Sequence, residues 1–273
     1  VDISVIIVNY RTPGLLKQCI RGFDLVHIKL SYEIIVIDNN SGDGSKDMIA
    51  EHFPNVTYIS SPSNVGLAKA INAGIKKSQG DFILIVNPDI AVLDGAVEKL
   101  YNFLQENPKA ALVAPRLVNP DGTTQLSCYK FPSRMVPVYR RTPLGRLPWA
   151  RNSLQEYLML DWDHNNNRTV DWVLGASMLI RKSAIDQVGL MDERFFLYFE
   201  DVDWCRRFWE QQWEVHYIAD AKMVHYHQRL SAESPGLSGI FSKATRIHIL
   251  SGIKYFMKYF DQRKKKEAAQ DAT

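Results

Sequence analysis

Nowhere does this chain run for about 18 apolar residues, so no helix is predicted to span a bilayer. Cysteine is scarce. Cys19, Cys128 and Cys205 are odd in number and widely separated, which fits neither metal-ligand spacing nor a disulfide framework. The sequence enters its first strand pattern without a secretory leader pattern, and together these features predict a reducing, cytoplasmic setting. Charge of one sign is lacking too. With 33 Lys and Arg against 30 Asp and Glu, the net charge of +3 is too weak to point to nucleic acid. There is no internal repeat, and the one low-complexity tract is Arg263–Lys266. What remains is a chain of 273 residues, 46% hydrophobic and 23% charged, the balance of an ordinary globular protein of one large or two small domains.

Short β-branched apolar runs occur at Ile3–Val8, Ile34–Ile37 and Phe82–Val86. Their apolarity is continuous rather than alternating, which predicts parallel strands covered on both faces. Helical patterns at Gly14–Phe23, Ser45–Phe53, Val65–Lys77 and Gly95–Glu106 separate and follow them, and a strand is predicted at Ala110–Pro115. This alternation through residue 116 predicts a doubly wound α/β half, whose ligands sit beyond the carboxyl ends of the strands. Then the pattern changes. Asn119-Pro120-Asp121-Gly122 predicts a hairpin turn. Residues 129–168 are rich in Pro, Arg and Asn, which predicts a mobile loop with one short helix near Asn152–Met159. Beyond it, a strand interrupted by Gly175 is predicted over Val170–Ile180, and a helix from Glu200. Two short strands, Glu214–Ile218 and Lys222–His227, precede a long C-terminal helix.

Candidate chemistry clusters at strand ends. Asp38 closes a strand, where its carboxylate can accept hydrogen bonds from a base edge or a ribose hydroxyl; the same group also suits an Asx turn capping the next helix. Gly66 would let backbone approach a ligand closely, and Asn64 could hydrogen-bond a nucleobase, while Ala68, Ala70, Ala73 and Gly74 fit tight helix-on-sheet packing. Asn87-Pro88-Asp89 puts a carboxylate just past a buried strand, where a hard divalent cation could bridge it to phosphates; a plain turn is the competing reading. His225 and His227 alternate, hence share a strand face, and His225 could complete a site with Asp89. Glu200, Asp201 and Asp203 follow an aromatic run and open a helix. Such neighbours raise each other's pKa, which suits a base, although acidic residues also cap helix N-termini.

Six stretches in order carry a family resemblance: Val-Ile-Ile-Val-Asn-Tyr (5–10), Val-Ile-Asp-Asn-Asn-Ser-Gly-Asp-Gly-Ser (36–45), Asn-Val-Gly-Leu-Ala-Lys-Ala-Ile-Asn-Ala-Gly (64–74), Asn-Pro-Asp (87–89), Trp-Val-Leu-Gly-Ala-Ser-Met-Leu-Ile-Arg (172–181) and Phe-Glu-Asp-Val-Asp-Trp-Cys-Arg-Arg (199–207). The chain resembles the family 2 glycosyltransferases of GT-A fold, most closely their bacterial rhamnosyltransferase-like branch, over roughly residues 3–230. The resemblance implies a mostly parallel, doubly wound central sheet flanked by helices, with a C-terminal helical extension. It implies a nucleotide pocket at Asn9, Tyr10, Asp38, Asn64, Gly66 and Asn87. A divalent metal, Mg²⁺ or Mn²⁺, is implied at Asp89 with His225. Asp201 matches the general base, and Glu200 would orient the site or bind the acceptor. Trp172 and Gly175 would shape the acceptor and donor-sugar pocket. Asn87 stands where the family's DxD motif has its first Asp, and this neutral amide weakens metal attraction.

The implied reaction is inverting transfer from a dTDP- or UDP-sugar, with dTDP-L-rhamnose favoured, to a saccharide or diphospholipid-linked saccharide of cell-surface polysaccharide. A UDP-hexose or UDP-N-acetylhexosamine donor is the alternative. A nucleotidyltransferase is disfavoured because Asn9–Gly14 is too poor in glycine for a triphosphate loop. A non-catalytic sugar-nucleotide-binding subunit finds its support in Asn87. The expected organisation is a transferase domain over 1–230, with a nucleotide-binding half 1–116 and an acceptor half 117–230, and an amphipathic helix with a basic tail over 231–273. In that helix Ile249, Leu250, Ile253, Phe256, Met257 and Phe260 share an arc flanked by Lys254 and Lys258, a pattern for an anionic membrane surface at the inner face of a bacterial cell membrane, or for packing on the domain or in a homodimer. Arg134, Arg140 and Arg141 could meet the phosphates of a diphospholipid.

Overall fold

A computed structural model describes the backbone of residues 1–226 and 243–270, with side chains through residue 260 save that of residue 141. The chain begins β1 (Ile3–Asn9), α1 (Pro13–Leu25), β2 (Tyr32–Asp38), α2 (Ser45–His52), β3 (Thr57–Ser60), α3 (Leu67–Ile75), β4 (Phe82–Val86), β5 (Ile90–Val92), α4 (Ala96–Glu106) and β6 (Ala110–Val118). It continues through β7 (Cys128–Tyr129), α5 (Val136–Arg141), a 3-10 turn (Pro143–Arg146), α6 (Pro148–Tyr157), β8 (Arg168–Thr169), β9 (Trp172–Val173) and β10 (Ser177–Arg181). It ends with α7 (Lys182–Val188), α8 (Glu200–Glu210), β11 (Glu214–His225) and α9 (Lys243–Gln270).

The central sheet runs β3-β2-β1-β4-β10-β6-β11-β5, with β8 paired to β11. The β3-β2-β1-β4 part is parallel, and so is the β6-β11 pair; β10 lies antiparallel between β4 and β6. Because side chains alternate across a strand, the continuous apolar runs of β1, β2 and β4 feed two cores at once. Ile6, Ile35, Ile37, Ile83 and Ile85 face α3, α7, α8 and α9. Ile3, Val5, Ile7, Ile34, Val36, Leu84 and Val86 face α1, α2 and α4. Gly74 makes the first packing close, since a Cβ there would lie 2.7 Å from Ile6.

Three expectations need correction. Residues 129–168 are not one loop: α5, the 3-10 turn and α6 occupy much of them. Pro137, Pro143 and Pro148 sit at the first positions of those elements, where a missing N–H costs nothing, so they start helices rather than break them. The strand expected over 170–180 is divided into β9 and β10 around Gly175. The two short strands after residue 214 are one, β11, with a register shift between Ile218 and Lys222. His227 lies outside the described residues.

The C-terminal helix turns a face inward that the sequence arc does not mark. Tyr255, Tyr259, Ser251 and Gly252 are buried. Most of the arc (Ile249, Leu250, Ile253, Met257 and Phe260) is exposed. Polar contacts fix the docking. Asp203 of α8 is fully buried; its Oδ1 accepts from Lys258 Nζ at 2.5 Å and Tyr259 OH at 2.9 Å, and its Oδ2 from Arg207 Nε at 2.9 Å. Lys258 also reaches Asp192 at 2.9 Å. Asp203→Ala leaves Lys258 and Arg207 short of a buried counter-charge and is expected to lower unfolding free energy by about 3 kcal/mol in urea titration. Lys254→Ala, which removes an exposed contact to the Arg194 carbonyl, is expected to change it by less than about 1 kcal/mol.

Candidate active site

The parallel strands deliver their polar ends to one edge of the sheet. Asn9 ends β1 directly opposite Asp38 at the end of β2. Asn9 is fully buried and its amide reaches Asp38 Oδ1, Ser41 Oγ and Ser45 Oγ, each at 3.0 Å, while its own Oδ1 accepts from Thr12. Asp38 Oδ2 takes the Ser41 N–H at 3.0 Å. Asn9 and Asp38 therefore brace the loop that follows β2. Tyr10, next to them, is exposed and lies under the Arg11 guanidinium, 5.2 Å from its ring centre.

From Asp38 the bonding passes around the edge. Asn39 receives the Val65 N–H and donates to Asn64 Oδ1 and the Gly66 carbonyl. Gly66, at φ +87°, starts α3; a Cβ there would stand 2.6 Å from the Phe196 carbonyl oxygen, which accepts the Leu67 N–H. The close approach expected at Gly66 is thus to the chain's own backbone. Phe196 leads into Tyr198 and Phe199, both at positive φ (67° and 69°), a conformation side chains rarely adopt. This left-handed turn is clasped by α9: Ser251 Oγ donates to the Leu197 carbonyl, and a Cβ on Gly252 would stand 3.3 Å from the Phe199 ring.

That turn aims the N-terminus of α8. Asp201 is buried; its Oδ2 accepts the Gly175 N–H at 3.0 Å and its Oδ1 the Val202 N–H at 2.8 Å. Glu200 is buried beside it, and its Oε2 has no partner among the described residues. Burial pushes the Glu200 carboxyl well above the usual range, and the charge of Asp201 adds to this. Burial also raises Asp201, against which the Gly175 and Val202 N–H groups work. The pair is thus asymmetric: burial and a neighbouring carboxylate push Glu200 toward its protonated form, while backbone and the helix N-terminus support the anion of Asp201.

Gly175 connects this pair to the second acidic motif. The Ala176 carbonyl accepts the Asn87 N–H at 2.8 Å, just past the end of β4. Two residues on, Asp89 Oδ2 lies 3.4 Å from His225 Nε2, and buried Asp89 Oδ1 has no partner among the described residues. His225 Nδ1 meets Gln125 Oε1 at 2.9 Å. The Gln125 amide NH₂ is committed to Asn119 Oδ1 and the His225 carbonyl, which fixes its oxygen as the acceptor. Nδ1 therefore donates to Gln125, and Nε2 is the ring nitrogen that faces Asp89. A ring nitrogen beside a carboxylate whose other oxygen has no partner among the described residues is a donor set of the kind a divalent cation takes. Among the described residues no three His, Cys, Asp or Glu converge on one point, so such a cation would complete its shell from ligand oxygens and water.

An aromatic wall stands near the carboxylate pair. Tyr129 stacks between Trp172 (4.6 Å) and Tyr157 (5.5 Å), and Arg140 lies 5.9 Å over the Tyr157 ring. Trp172 is buried and donates its Nε1–H to the Lys130 carbonyl, so it backs this wall. Burial pushes Tyr157 up to about 12, with the Asp201 charge a further cause.

The Glycosyl transferase family 2 profile matches residues 4–168. The chain belongs to this family. It is 27% identical over 248 residues to the N-acetylglucosaminyl-diphospho-decaprenol L-rhamnosyltransferase of Mycobacterium tuberculosis, covering 85% of this chain and 78% of that protein. It is 25% identical to the rhamnosyltransferase WbbL of Escherichia coli K12, covering 93% and 92%. Among solved structures, the mannosyltransferase PcManGT of Pyrobaculum calidifontis in complex with GDP-Man and Mn²⁺ superposes with a TM-score of 0.58 at 15% identity, over 84% of this chain. This chain spans 57% of that neighbour's length, and the likeness establishes the fold, which is GT-A.

Every predicted site residue within the described part lies along this edge or packs behind it. Sequence reading missed Gln125, which lies 100 residues before His225 with no motif to mark it. It also missed Tyr129 and Tyr157, whose stacking depends on long-range folding. The raised Glu200 carboxyl has a sign that can be tested. Its contribution to stability is complete below the ordinary carboxylate range and is lost as pH rises toward the raised value. Glu200→Gln removes that loss, so its stability relative to wild type should grow as pH rises above the ordinary carboxylate range in urea melts, and a difference constant with pH would contradict a raised Glu200 carboxyl.

Proposed function

We infer that this glycosyltransferase moves L-rhamnose from dTDP-L-rhamnose to a hydroxyl of a lipid-linked saccharide, with inversion. The observation that carries the reaction type is Asp201, held by the Gly175 and Val202 N–H groups at the N-terminus of α8, beside a buried Glu200 and linked through the Asn87–Ala176 backbone bond to the turn that carries Asp89. The rhamnosyl donor and lipid-linked acceptor are supported by the relatives named above. On this reading the chain meets that acceptor at the inner face of the bacterial cell membrane.

In this reading Asp201 takes the proton of the acceptor hydroxyl as its oxygen forms a bond to the anomeric carbon. The bond from that carbon to the diphosphate oxygen breaks, and the nucleoside diphosphate leaves with the electron pair. Glu200, protonated, can donate a hydrogen bond to an acceptor oxygen, which orients it without competing for the proton. Tyr129, with Trp172 and Tyr157 behind it, gives the acceptor sugar an apolar face to lie against. Asp38, Asn64 and Tyr10 border the end where the nucleoside would sit. Asp89 and His225 would hold a divalent cation, Mg²⁺ or Mn²⁺, which when bound neutralises charge growing on the leaving diphosphate.

Asp201→Asn tests the base. Transfer from dTDP-L-rhamnose, followed by release of dTDP, should fall by about 10²- to 10⁴-fold while the thermal shift given by dTDP with Mn²⁺ persists. Near wild-type transfer would remove Asp201 from this role. Faster wild-type turnover of UDP-glucose or UDP-N-acetylglucosamine would replace the donor but keep the mechanism. Gln125→Leu tests the cation site without turnover. Loss of the bond that holds the His225 proton on Nδ1 should weaken Mn²⁺ binding in the presence of dTDP by about tenfold or more, read by electron paramagnetic resonance of free Mn²⁺.

A further inference from the structure

The outer face of α9 and the exposed apolar side chains of the adjoining α5–α6 segment have no role in the site just described. On α9, Ile249, Leu250, Ile253 and Met257 are between 42% and 60% exposed along one side of the helix, while Tyr255 and Tyr259 on the other side anchor it to α8. An inward-facing helix would reverse these exposures. Where α9 reaches Phe260, the Arg134 guanidinium lies 4.7 Å over that ring. From Arg134 the exposed apolar surface continues through Met135 and Val138 of the α5 region and then Leu144, Leu147 and Trp149. Two elements far apart in sequence, both with exposed apolar side chains, thus meet where Arg134 lies over Phe260.

Charge identifies the occupant. No Asp or Glu occurs between Tyr129 and Gln155 or between Lys243 and Phe260. Arg134, Arg140, Arg146 and Arg151 are exposed in the first stretch, and Lys243 and Arg246 in the second. A second copy of this chain is a poor fit, because a two-fold contact would set the same cations against each other. A bilayer with anionic headgroups meets both demands, since acyl chains take up the apolar side chains and headgroups pair with the basic rim.

We propose that the outer face of α9 and the exposed side of α5–α6 form one docking surface for an anionic bilayer. It extends the reading of a lipid-linked acceptor, on which it rests only for its purpose: Tyr129 and Tyr157, at the two ends of the basic stretch, belong to the wall near Asp201. Docking would then bring the acceptor-side wall and the headgroup layer together.

The test is flotation of the full chain with vesicles of phosphatidylcholine alone or mixed with phosphatidylglycerol, without donor or acceptor, so it stands apart from transferase activity. The wild type should float with the mixed vesicles and much less with phosphatidylcholine, and lose binding as salt rises. Ile253→Glu with Met257→Glu should cut the bound fraction by more than about tenfold, and Arg146→Glu with Arg151→Glu should do so independently. Both variants alter exposed side chains, so unchanged melting temperature and unchanged dTDP binding are the controls for folding. Equal flotation of wild type and variants, or no flotation at all, would overturn the proposal. So would light scattering that finds a wild-type dimer made monomeric by Ile253→Glu with Met257→Glu, with no vesicle binding.

Discussion

Three carboxylates within four residues, all buried in the first turn of one helix, cannot share one electrostatic solution. The rest of the site depends on how α8 separates them. Asp203 points to Lys258 and Arg207, which makes it the lock between α8 and α9. Glu200 is buried beside another carboxylate, which pushes it toward its protonated form. Asp201 receives two backbone N–H groups and is the member whose negative charge is best supported. One short sequence therefore supplies a structural ion pair, a carboxyl pushed toward protonation and a candidate base, divided by neighbours rather than by residue type.

This division needs backbone in a costly conformation. Tyr198 and Phe199 are consecutive non-glycine residues at positive φ, each disfavoured by roughly 1 kcal/mol or more. The contacts that hold them come from distant parts of the chain: α3 through Gly66 and Leu67, and α9 through Ser251 and Gly252. The Asn72 side chain adds a third tie, bonding both the N–H and the carbonyl of Met191 just ahead of this segment. A glycine in the turn would relieve the local cost and loosen the aim of Asp201. Rigidity here comes from over-determination by three ties drawn from two helices, α3 and α9.

The parallel strands and their helices were legible in sequence because their signal is local. β4 has the predicted bounds, β1 and β2 extend the predicted runs by a few residues, and α8 starts at the predicted Glu200. Where the reading failed, the decisive physics was not local. Three prolines look alike in sequence whether they end a helix or begin one, and the neighbouring structure decides; hence α5 and α6 were read largely as loop. Gly66 was legible as a special residue, but its partner, Phe196, is 130 residues away and could not be. The acidic triplet advertised chemistry, yet it takes Lys258, Tyr259 and Arg207 together to distinguish Asp203 from its neighbours. In α9 the largest apolar side chains mark the exposed side, because tyrosines able to bond Asp203 and Arg206 suit the inner side better.

The edge of the sheet also explains why an asparagine at residue 87 is compatible with cation chemistry. Its backbone N–H is spent on Ala176 and its carbonyl on the Ile90 N–H, so the residue's fixed duty is to shape the turn that carries Asp89. The second candidate ligand is His225, held by a glutamine whose own amide is saturated. One carboxylate attracts a divalent ion less than two do, since only one full negative charge faces it. On the proposed reading, most of the missing attraction is supplied by the diphosphate itself, so cation and donor would bind as a unit.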